Sequence, residues 1–327
     1  MNNNRYIIIY HLEDNDGVCS AAILKYYLMT ELHATDITLF PATYAILSEV
    51  EKNNFVEFNG YDVFIMTDIS FNNFSAMEYI YETFGKNFIW IDHHAPIIRE
   101  SEVKKYDIKI NGVRDTSRSA ILNAYKYCYD TFDVKYNSEL APLVFRYLSA
   151  WDSWTTDREK LDFDKVRAVN AGFTSISKLS VDWYYERMAR ILNSEDYRYN
   201  DEIIYEMYEI GKKIIDEADR KSEELVKNCG IGGFTVNGNR SCIILFTSGP
   251  TNSLMFKTVR GEYDNAVCFK SSSTGNVIIS MYNVIDTHDF HCGNYLHSKY
   301  GGGGHEGAAG ATITFEQFNK ILKTKQI

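Results

Sequence analysis

Four short apolar runs within the first 91 residues most strongly restrict how this chain can fold. Each run is apolar at successive positions, as in a strand buried on both faces, and the runs alternate with helix-forming stretches. The predicted strands are Arg5–Tyr10, Ile37–Phe40, Val63–Met66 and Phe88–Ile91, and the predicted helices between them include Val18–Met29 and Ala45–Asn53. This order predicts an α/β fold with a doubly wound, mainly parallel sheet. Ligand sites in such folds form beyond the carboxyl ends of the strands.

The composition changes in the second half of the chain. Asp201–Lys227 combines charged helix formers with apolar residues at helical spacing, which predicts an amphipathic helical connector with a solvated charged face. Strand-like runs return at Ser241–Phe246, Asn265–Phe269 and Asn276–Met281, and a short helix is predicted over Phe315–Lys323. We therefore predict a catalytic domain over 1–185, the connector over 186–228 and a smaller α/β domain over 229–327, a division that suits 327 residues.

Composition and charge exclude several classes of protein. No apolar run approaches the roughly 20 residues of a membrane span, and the first residues lack a secretory pattern, so we expect a cytoplasmic protein without a membrane partner. The six cysteines are scattered singly, which predicts reduced structural thiols. The formal net charge of -10 opposes a long basic track, so we expect no long duplex nucleic acid as partner. Short or small phosphorylated substrates stay open.

Aspartate and histidine residues follow three of the predicted strands at the point where each strand ends. They are His11, Asp14 and Asp16 after the first strand, Asp68 after the third, and Asp92, His93 and His94 after the fourth. Taken singly, such residues are also typical of Asx turns and helix caps. The tips of neighbouring parallel strands lie together, however, and clustered carboxylates without a cation repel one another. The coincidence therefore predicts a metal centre.

The residue types indicate which ions this centre binds. Imidazole and carboxylate ligands without a thiolate suit Mn²⁺, Mg²⁺, Fe²⁺ or Co²⁺ better than structural zinc. More than four ligands indicate two ions, and two ions roughly 3.5 to 4 Å apart activate water and hold the phosphoryl oxygens during displacement. The predicted reaction is hydrolysis of a phosphate ester or anhydride.

A run of four glycines near the carboxyl end is the second chemical signal. Gly301–Gly304 is followed by His305 and by the small residues 307–310. Four consecutive glycines lose much conformational entropy on folding, so the run is expected where the backbone takes a positive φ or approaches another group closely. Backbone N–H groups that hold a phosphate or nucleotide are the favoured interpretation, and a flexible linker is the alternative.

Together, these motifs resemble those of the DHH phosphoesterase superfamily, in the subfamily with a DHH-associated carboxyl-terminal domain. The resemblance covers both predicted domains. It is carried by Asp92-His93-His94, by His11-x-x-Asp14-x-Asp16-Gly17, by Thr67-Asp68, and by Gly301 to His305 with Ala308-Ala309-Gly310.

The resemblance implies a set of ligands for two divalent ions. Mn²⁺ is expected, with Mg²⁺ or Co²⁺ as alternatives. The implied ligands are His11, Asp14 and Asp68 for one ion, and Asp16, Asp68, His93 and a later aspartate for the other. For that later aspartate we choose Asp152, which lies between two tryptophans, over its rival Asp157. As an alternative, Asp152 is only a helix-terminal residue between core tryptophans.

The resemblance also implies residues that act on the substrate. His94 is expected to contact the substrate phosphate or to act as an acid, and Asp92 to orient the neighbouring imidazoles. Expected substrate contacts in the second domain are Gly302, Gly303, Gly304 and His305.

Relatives of this kind act on several substrates. They include nanoRNases that trim very short oligonucleotides and dephosphorylate 3'-phosphoadenosine 5'-phosphate, cyclic-dinucleotide phosphodiesterases, single-strand exonucleases and pyrophosphatases, the last with a different second domain. The prediction is a phosphohydrolase that acts on phosphodiester or phosphomonoester bonds of short oligonucleotides or small nucleotides. A cyclic-dinucleotide or linear-dinucleotide phosphodiesterase is the alternative, and a catalytically silent nucleotide-binding protein is a second one. A homodimer through the first domain is implied by resemblance only.

One position departs from the family pattern. Similar nanoRNases place a phosphate-binding arginine after a strand of the second domain, where this chain has Tyr282. Tyr282 is therefore a candidate to stack on a base instead. Arg114 and Arg118 are candidates to supply the missing phosphate contact. The alternative is that both are solvated surface side chains.

Overall fold

The computed structural model describes residues 2–94, 97–99, 109–132, 140–193, 197–249, 251–272, 275–284, 290–304 and 306–327. The chain divides into two compact units, Met1–Ile215 and Asp216–Ile327. The boundary between them lies inside a helix that spans Tyr197–Cys229 and includes the predicted amphipathic stretch Asp201–Lys227. The predicted division into domains over 1–185, 186–228 and 229–327 stays a prediction. Among the described residues, no helix has the length and apolar character needed to cross a membrane.

A four-stranded parallel sheet forms the centre of the first unit, in the spatial order β2-β1-β3-β4. Its strands are β1 Asn2–His11, β2 Ala34–Ala42, β3 Val63–Thr67 and β4 Phe88–Ile91. All four predicted strands are present, and the predicted α/β fold with a parallel sheet is confirmed. The edge strand β2 is longer than predicted. Its first and last residues, such as Thr35, Asp36 and Pro41, are not part of an apolar run, so the apolar pattern marked only its central part.

Helices pack on both faces of this sheet. Alternate residues of β1 belong to separate hydrophobic clusters: Tyr6, Ile8 and Tyr10 lie in one, and Ile7 and Ile9 in the other. The sheet is therefore doubly wound. The described helices of this unit are α1 Asn15–Thr30, α2 Tyr44–Lys52, α3 Phe74–Phe84, α4 Ala120–Thr131, α5 Leu143–Asp152, α6 Thr156–Glu159, α7 Phe163–Ser177 and α8 Val181–Ile191.

A six-stranded mixed sheet forms the second unit, in the spatial order β5-β6-β7-β8-β10-β9. Its strands are β5 Ile231–Val236, β6 Arg240–Phe246, β7 Asn265–Ser271, β8 Val277–Asn283, β9 Gly303–Gly304 and β10 Ala308–Ile313. β6 and β7 run parallel, and the other neighbouring strands are antiparallel. The helix α9 is Tyr197–Cys229, and the second unit also contains a 3₁₀ segment over Ser253–Val259 and the helices α10 Cys292–Tyr300 and α11 Phe315–Thr324.

Candidate metal centre

The turn after β1 carries three of the predicted ligands. His11 is the last residue of β1, Asp14 caps α1 by accepting a hydrogen bond from the Gly17 N–H at 3.0 Å, and Asp16 lies in the first turn of α1. Gly17 permits this turn because a Cβ there would lie 2.1 Å from the His11 carbonyl oxygen. The helix cap, which was the alternative explanation for Asp14, is thus present. It uses only Oδ1 of Asp14, and Oδ2 lies 3.1 Å from His11 Nδ1.

Asp68, directly after β3, lies at the centre of the cluster. Its backbone has φ of 59°, a left-handed value that is uncommon outside glycine, and its N–H donates to the Ile91 carbonyl at 3.0 Å. The carboxylate is 2% exposed, with oxygens 3.7 Å from His11 Nδ1 and 3.2 Å from His93 Nε2. Even so, Oδ1 has no hydrogen-bond partner in the described part of the chain. Asp68 therefore faces both predicted ion positions.

His93 lies between three carboxylates. Its Nε2 atom is 3.3 Å from Asp152 Oδ2 and 3.6 Å from Asp16 Oδ2. Asp152 ends α5, and its Oδ2 is a second buried carboxylate oxygen without a hydrogen-bond partner among the residues described. The structure thus brings the chosen Asp152, 59 residues after His93 in the sequence, to the cluster.

Asp16 is fixed by a contact that the sequence did not indicate. Its carboxylate accepts hydrogen bonds from Ser119 Oγ at 2.6 Å, the Ala120 N–H at 2.8 Å and the Ile121 N–H at 2.9 Å. These donors belong to the start of α4, so Asp16 caps a helix other than its own. No local signal marks this role, because the partners are more than 100 residues apart.

The six predicted ligands form sets that fit divalent cations. His11, Asp14 and Asp68 offer one ligand atom each within 4.8 Å of one another, as do Asp16, His93 and Asp152, and a third set is Asp68, His93 and His94. The sets contain only oxygen and nitrogen donors, which is the chemistry that Mn²⁺, Mg²⁺ and Co²⁺ accept. The buried oxygens without donors on Asp68 and Asp152 give independent support, since a cation satisfies them.

The pKa shifts within the cluster also favour a bound cation. Burial, together with the charge of Asp16, raises the pKa of Asp68 and of Asp152 well above the usual range. Burial also raises the pKa of Asp16. Hydrogen bonds to Asp14 and Asp68 raise the pKa of His11 to about 11. Burying these carboxylates in their charged form is therefore unfavourable without a cation.

Asp92 and His94 lie beside the ligand sets. Asp92 is fully buried; its Oδ1 accepts a hydrogen bond from the His93 N–H at 2.8 Å and lies 2.8 Å from His94 Nδ1. Its Oδ2 accepts one from Trp90 Nε1 at 3.1 Å. Burial lowers the pKa of His94, but the hydrogen bond to Asp92 and the charges of Asp92 and Asp68 together outweigh it, and the pKa is raised. The geometry suits the predicted orienting role of Asp92 toward His94, whereas its contact with His93 is through the backbone.

The fold itself requires most of the glycine run. Gly301 ends α10 with φ of 67°, a Cβ on Gly302 would lie 2.3 Å from the Gly310 carbonyl oxygen, and Gly304 has φ of 143°. Gly303 differs, because a Cβ there would meet nothing within 4 Å. Packing therefore explains Gly301, Gly302 and Gly304 without a ligand. His305 lies outside the described residues.

Tyr282 packs inside the second unit. Its side chain is 8% exposed, its ring is 6.2 Å from that of Phe256, and its hydroxyl donates to the Thr251 carbonyl at 2.9 Å. A ring this buried offers little surface to a base. The stacking role of Tyr282 stays a prediction.

The two arginines have different surroundings. The Arg114 guanidinium donates to the carbonyls of Trp90 at 3.0 Å and Ile110 at 2.9 Å, so it holds the backbone and is not free to bind phosphate. Arg118 is partly buried, and its Nε lies 2.8 Å from Asp115 Oδ2. A phosphate contact of Arg118 stays a prediction.

Fold and site together define a metal-binding α/β phosphoesterase domain. Residues 5–146 match the model of the DHH family, N-terminal domain. This part of the chain is therefore a domain of the DHH family, whose members are metal-dependent phosphoesterases and nucleases.

Solved structures show a similar fold. The pGpG-specific phosphodiesterase PggH from Vibrio cholerae is 14% identical, with a TM-score of 0.50 over 98% of this chain and 97% of its own. The exonuclease RecJ bound to manganese is 14% identical, with a TM-score of 0.48 over 98% of this chain and 89% of its own. The first likeness shows the fold alone, and the second is too loose to support an argument. The comparison with curated proteins found no match.

Proposed function

We propose that this chain is a two-metal phosphohydrolase that cleaves phosphodiester or phosphomonoester bonds of short oligonucleotides or small nucleotides. One observation carries the proposal: Asp68 belongs to two sets of ligand atoms, one with His11 and Asp14 and one with His93 and His94, and its Oδ1 is buried without a hydrogen-bond partner within the described residues. A carboxylate in this position is expensive to bury without a cation.

The six residues would divide between two ions. His11 and Asp14 would hold one ion, Asp16, His93 and Asp152 the other, and Asp68 would face both. Mn²⁺ is proposed first and Mg²⁺ or Co²⁺ as alternatives, because the ligand sets lack a thiolate. When bound, two such ions supply Lewis-acid stabilisation of phosphoryl oxygens and make water more acidic.

The chain's own residues supply the proton. Burial lowers the pKa of His94, but the hydrogen bond to Asp92 and the charges of Asp92 and Asp68 together raise it, which favours the protonated imidazole. A protonated imidazole next to the ligand sets suits a group that donates a proton to the leaving oxygen. Asp92 holds this ring in position, and the Trp90 indole N–H and the backbone in turn hold Asp92.

Two observations favour a small nucleotide substrate over a long polyanion. The formal net charge of -10 disfavours extended contacts with phosphates, whereas two bound cations neutralise one or two phosphates locally. A pGpG-specific phosphodiesterase with a similar fold makes a linear dinucleotide the first substrate to try.

Chromatographic product analysis tests the proposal. The protein with Mn²⁺ is given a linear dinucleotide, a longer single strand, a cyclic dinucleotide and 3'-phosphoadenosine 5'-phosphate in parallel. We expect cleavage of the linear dinucleotide that is lost with chelator and in Asp68→Asn. Preference for another member of the panel would assign a different substrate to the same phosphohydrolase reaction. Binding without turnover of any member would instead indicate a nucleotide-binding protein.

A further inference from the structure

Three aromatic rings form a cluster next to the candidate ligand Asp152 in the chain. The ring centroids of Trp151 and Trp154 are 5.5 Å apart, and those of Trp154 and Phe163 are 5.8 Å apart with planes inclined by 26°. The alternative interpretation of Asp152 placed it between two core tryptophans. Trp151 packs against the main cluster of the first unit, but Trp154 is 63% exposed.

The backbone holds Trp154 in this exposed position. Its φ of 53° lies in the left-handed region, where a bulky side chain is an outlier. The turn is nevertheless well fixed: the Thr155 N–H donates to the Ala150 carbonyl at 3.2 Å, and Ser153 Oγ donates to the Ser149 carbonyl at 2.7 Å. A residue kept in an unfavourable conformation by its surroundings is typical of functional sites.

Trp154 is close to the metal centre through its place in the chain. Only Ser153 separates it from Asp152, whose Oδ2 lies 3.3 Å from His93 Nε2. Two residues span at most about 7 Å between Cα atoms. The backbone of Trp154 therefore lies within about 7 Å of that of a candidate metal ligand.

We propose that Trp154 is a specificity-determining residue that stacks on the nucleobase next to the scissile phosphate. This inference rests on the proposed function and specifies its substrate: the substrate carries a base, and base-free phosphate esters and pyrophosphate bind weakly. Phe163 supports the indole from behind, so little ring mobility is lost on binding. Stacking accepts any base because every base has a π-face.

Kinetics of matched variants test the inference. Trp154→Gly removes the ring and at the same time suits the left-handed backbone, so an unchanged Tm excludes misfolding. We expect Trp154→Gly to raise KM for a linear dinucleotide by roughly 5- to 150-fold, the range of base–aromatic stacking, with little change in kcat. Trp154→Phe should restore part of the loss. KM for an abasic dinucleotide should be the same in all three proteins.

A control variant and a binding measurement separate this inference from the proposed function. Tyr79→Ala removes another exposed ring of the same unit, 45% exposed and stacked on Phe55 at 4.6 Å, and should change neither KM. Quenching of tryptophan fluorescence by the dinucleotide, with Ca²⁺ in place of Mn²⁺, reports stacking without turnover. Turnover with an unchanged KM in Trp154→Gly would overturn the inference and leave the proposed function standing. If the protein turns over none of the substrates, but the dinucleotide quenches its fluorescence and this quenching is lost in Trp154→Phe, the inference is supported and the proposed function is overturned.

Discussion

The substitution Asp68→Asn separates the effect of the Asp68 carboxylate on stability without ions from its effect on ion binding. In the protein without ions, burial and the charge of Asp16 disfavour the ionised carboxylate and raise its pKa well above its usual range. With ions, the proposed role of the same group is to contact both. Because asparagine has nearly the same shape and no charge, we expect Asp68→Asn without ions to be at least as stable as the unmodified protein.

The effect of ions should be lost in the same variant. An ion at 100 times its Kd adds about 2.7 kcal/mol to the free energy of unfolding. For a unit the size of Met1–Ile215, each 1 kcal/mol shifts Tm by roughly 2 to 4 °C, so one ion should raise Tm by about 5 to 11 °C and two ions by about twice as much. Asp68→Asn should lose most of this shift.

Differential scanning calorimetry with chelator and with Mn²⁺ measures both effects. Asp36→Asn is the matched control, because Asp36 is 56% exposed and forms a surface ion pair with Arg5 at 3.5 Å. It should keep the full Mn²⁺ shift. A full shift in Asp68→Asn would refute the shared-ligand role. If that variant without ions unfolded well below the unmodified protein, the buried-charge argument would be refuted.

Three further predictions concern other parts of the chain. The pKa of His11, raised from 6.5 to about 11, means that its stabilising contribution without ions is complete below about pH 6.5 and is lost as the pH rises toward 11, so Tm of the chelated protein should fall across that window. Gly302→Ala should destabilise the protein by about 1 to 3 kcal/mol in urea unfolding, since its Cβ would lie 2.3 Å from a carbonyl oxygen, whereas Gly303→Ala should stay within about 0.5 kcal/mol. His94→Gln should lower kcat by roughly 100-fold or more with KM little changed, and Asp92→Asn should lower it through the same ring.

Each of these predictions has a contrary outcome. A chelated protein whose Tm rises between pH 7 and 10 would show that His11 is not held by the carboxylates. Equal stability losses in Gly302→Ala and Gly303→Ala would contradict the packing account of the glycine run. A kcat that survives in His94→Gln would assign the proton to another group.

The sequence predicted the first sheet and five of the six candidate ligands from local signals, whereas Asp152 was chosen through the family resemblance. The apolar runs of β1, β3 and β4 are buried on both faces, and the ligands follow directly at the strand ends. The capping of α4 by Asp16 was not predictable in this way, since its partners are distant in sequence. β10 was also missed: Ala308, Ala309 and Gly310 have low strand propensity, and pairing with β8 forms this strand.

The burial of Tyr282 and the exposure of Trp154 depend on features that the sequence does not indicate locally. Val277, Ile279 and Met281 face one cluster of the second unit, and alternation places Tyr282 on the opposite face. That face is covered by the 3₁₀ segment Ser253–Val259, which the sequence did not indicate. Trp154 is exposed because the turn after α5 adopts a left-handed backbone, and apolar character does not predict this.

The central claim is that one cluster in the first unit holds two ions. Anomalous scattering from crystals grown with Mn²⁺ tests it most directly, because manganese is located without reference to activity. We expect two anomalous peaks about 3.5 to 4 Å apart, one beside His11 and Asp14 and one beside His93 and Asp152, with Asp68 contacting both. A single peak, or no peak among these residues at saturating Mn²⁺, would contradict the account.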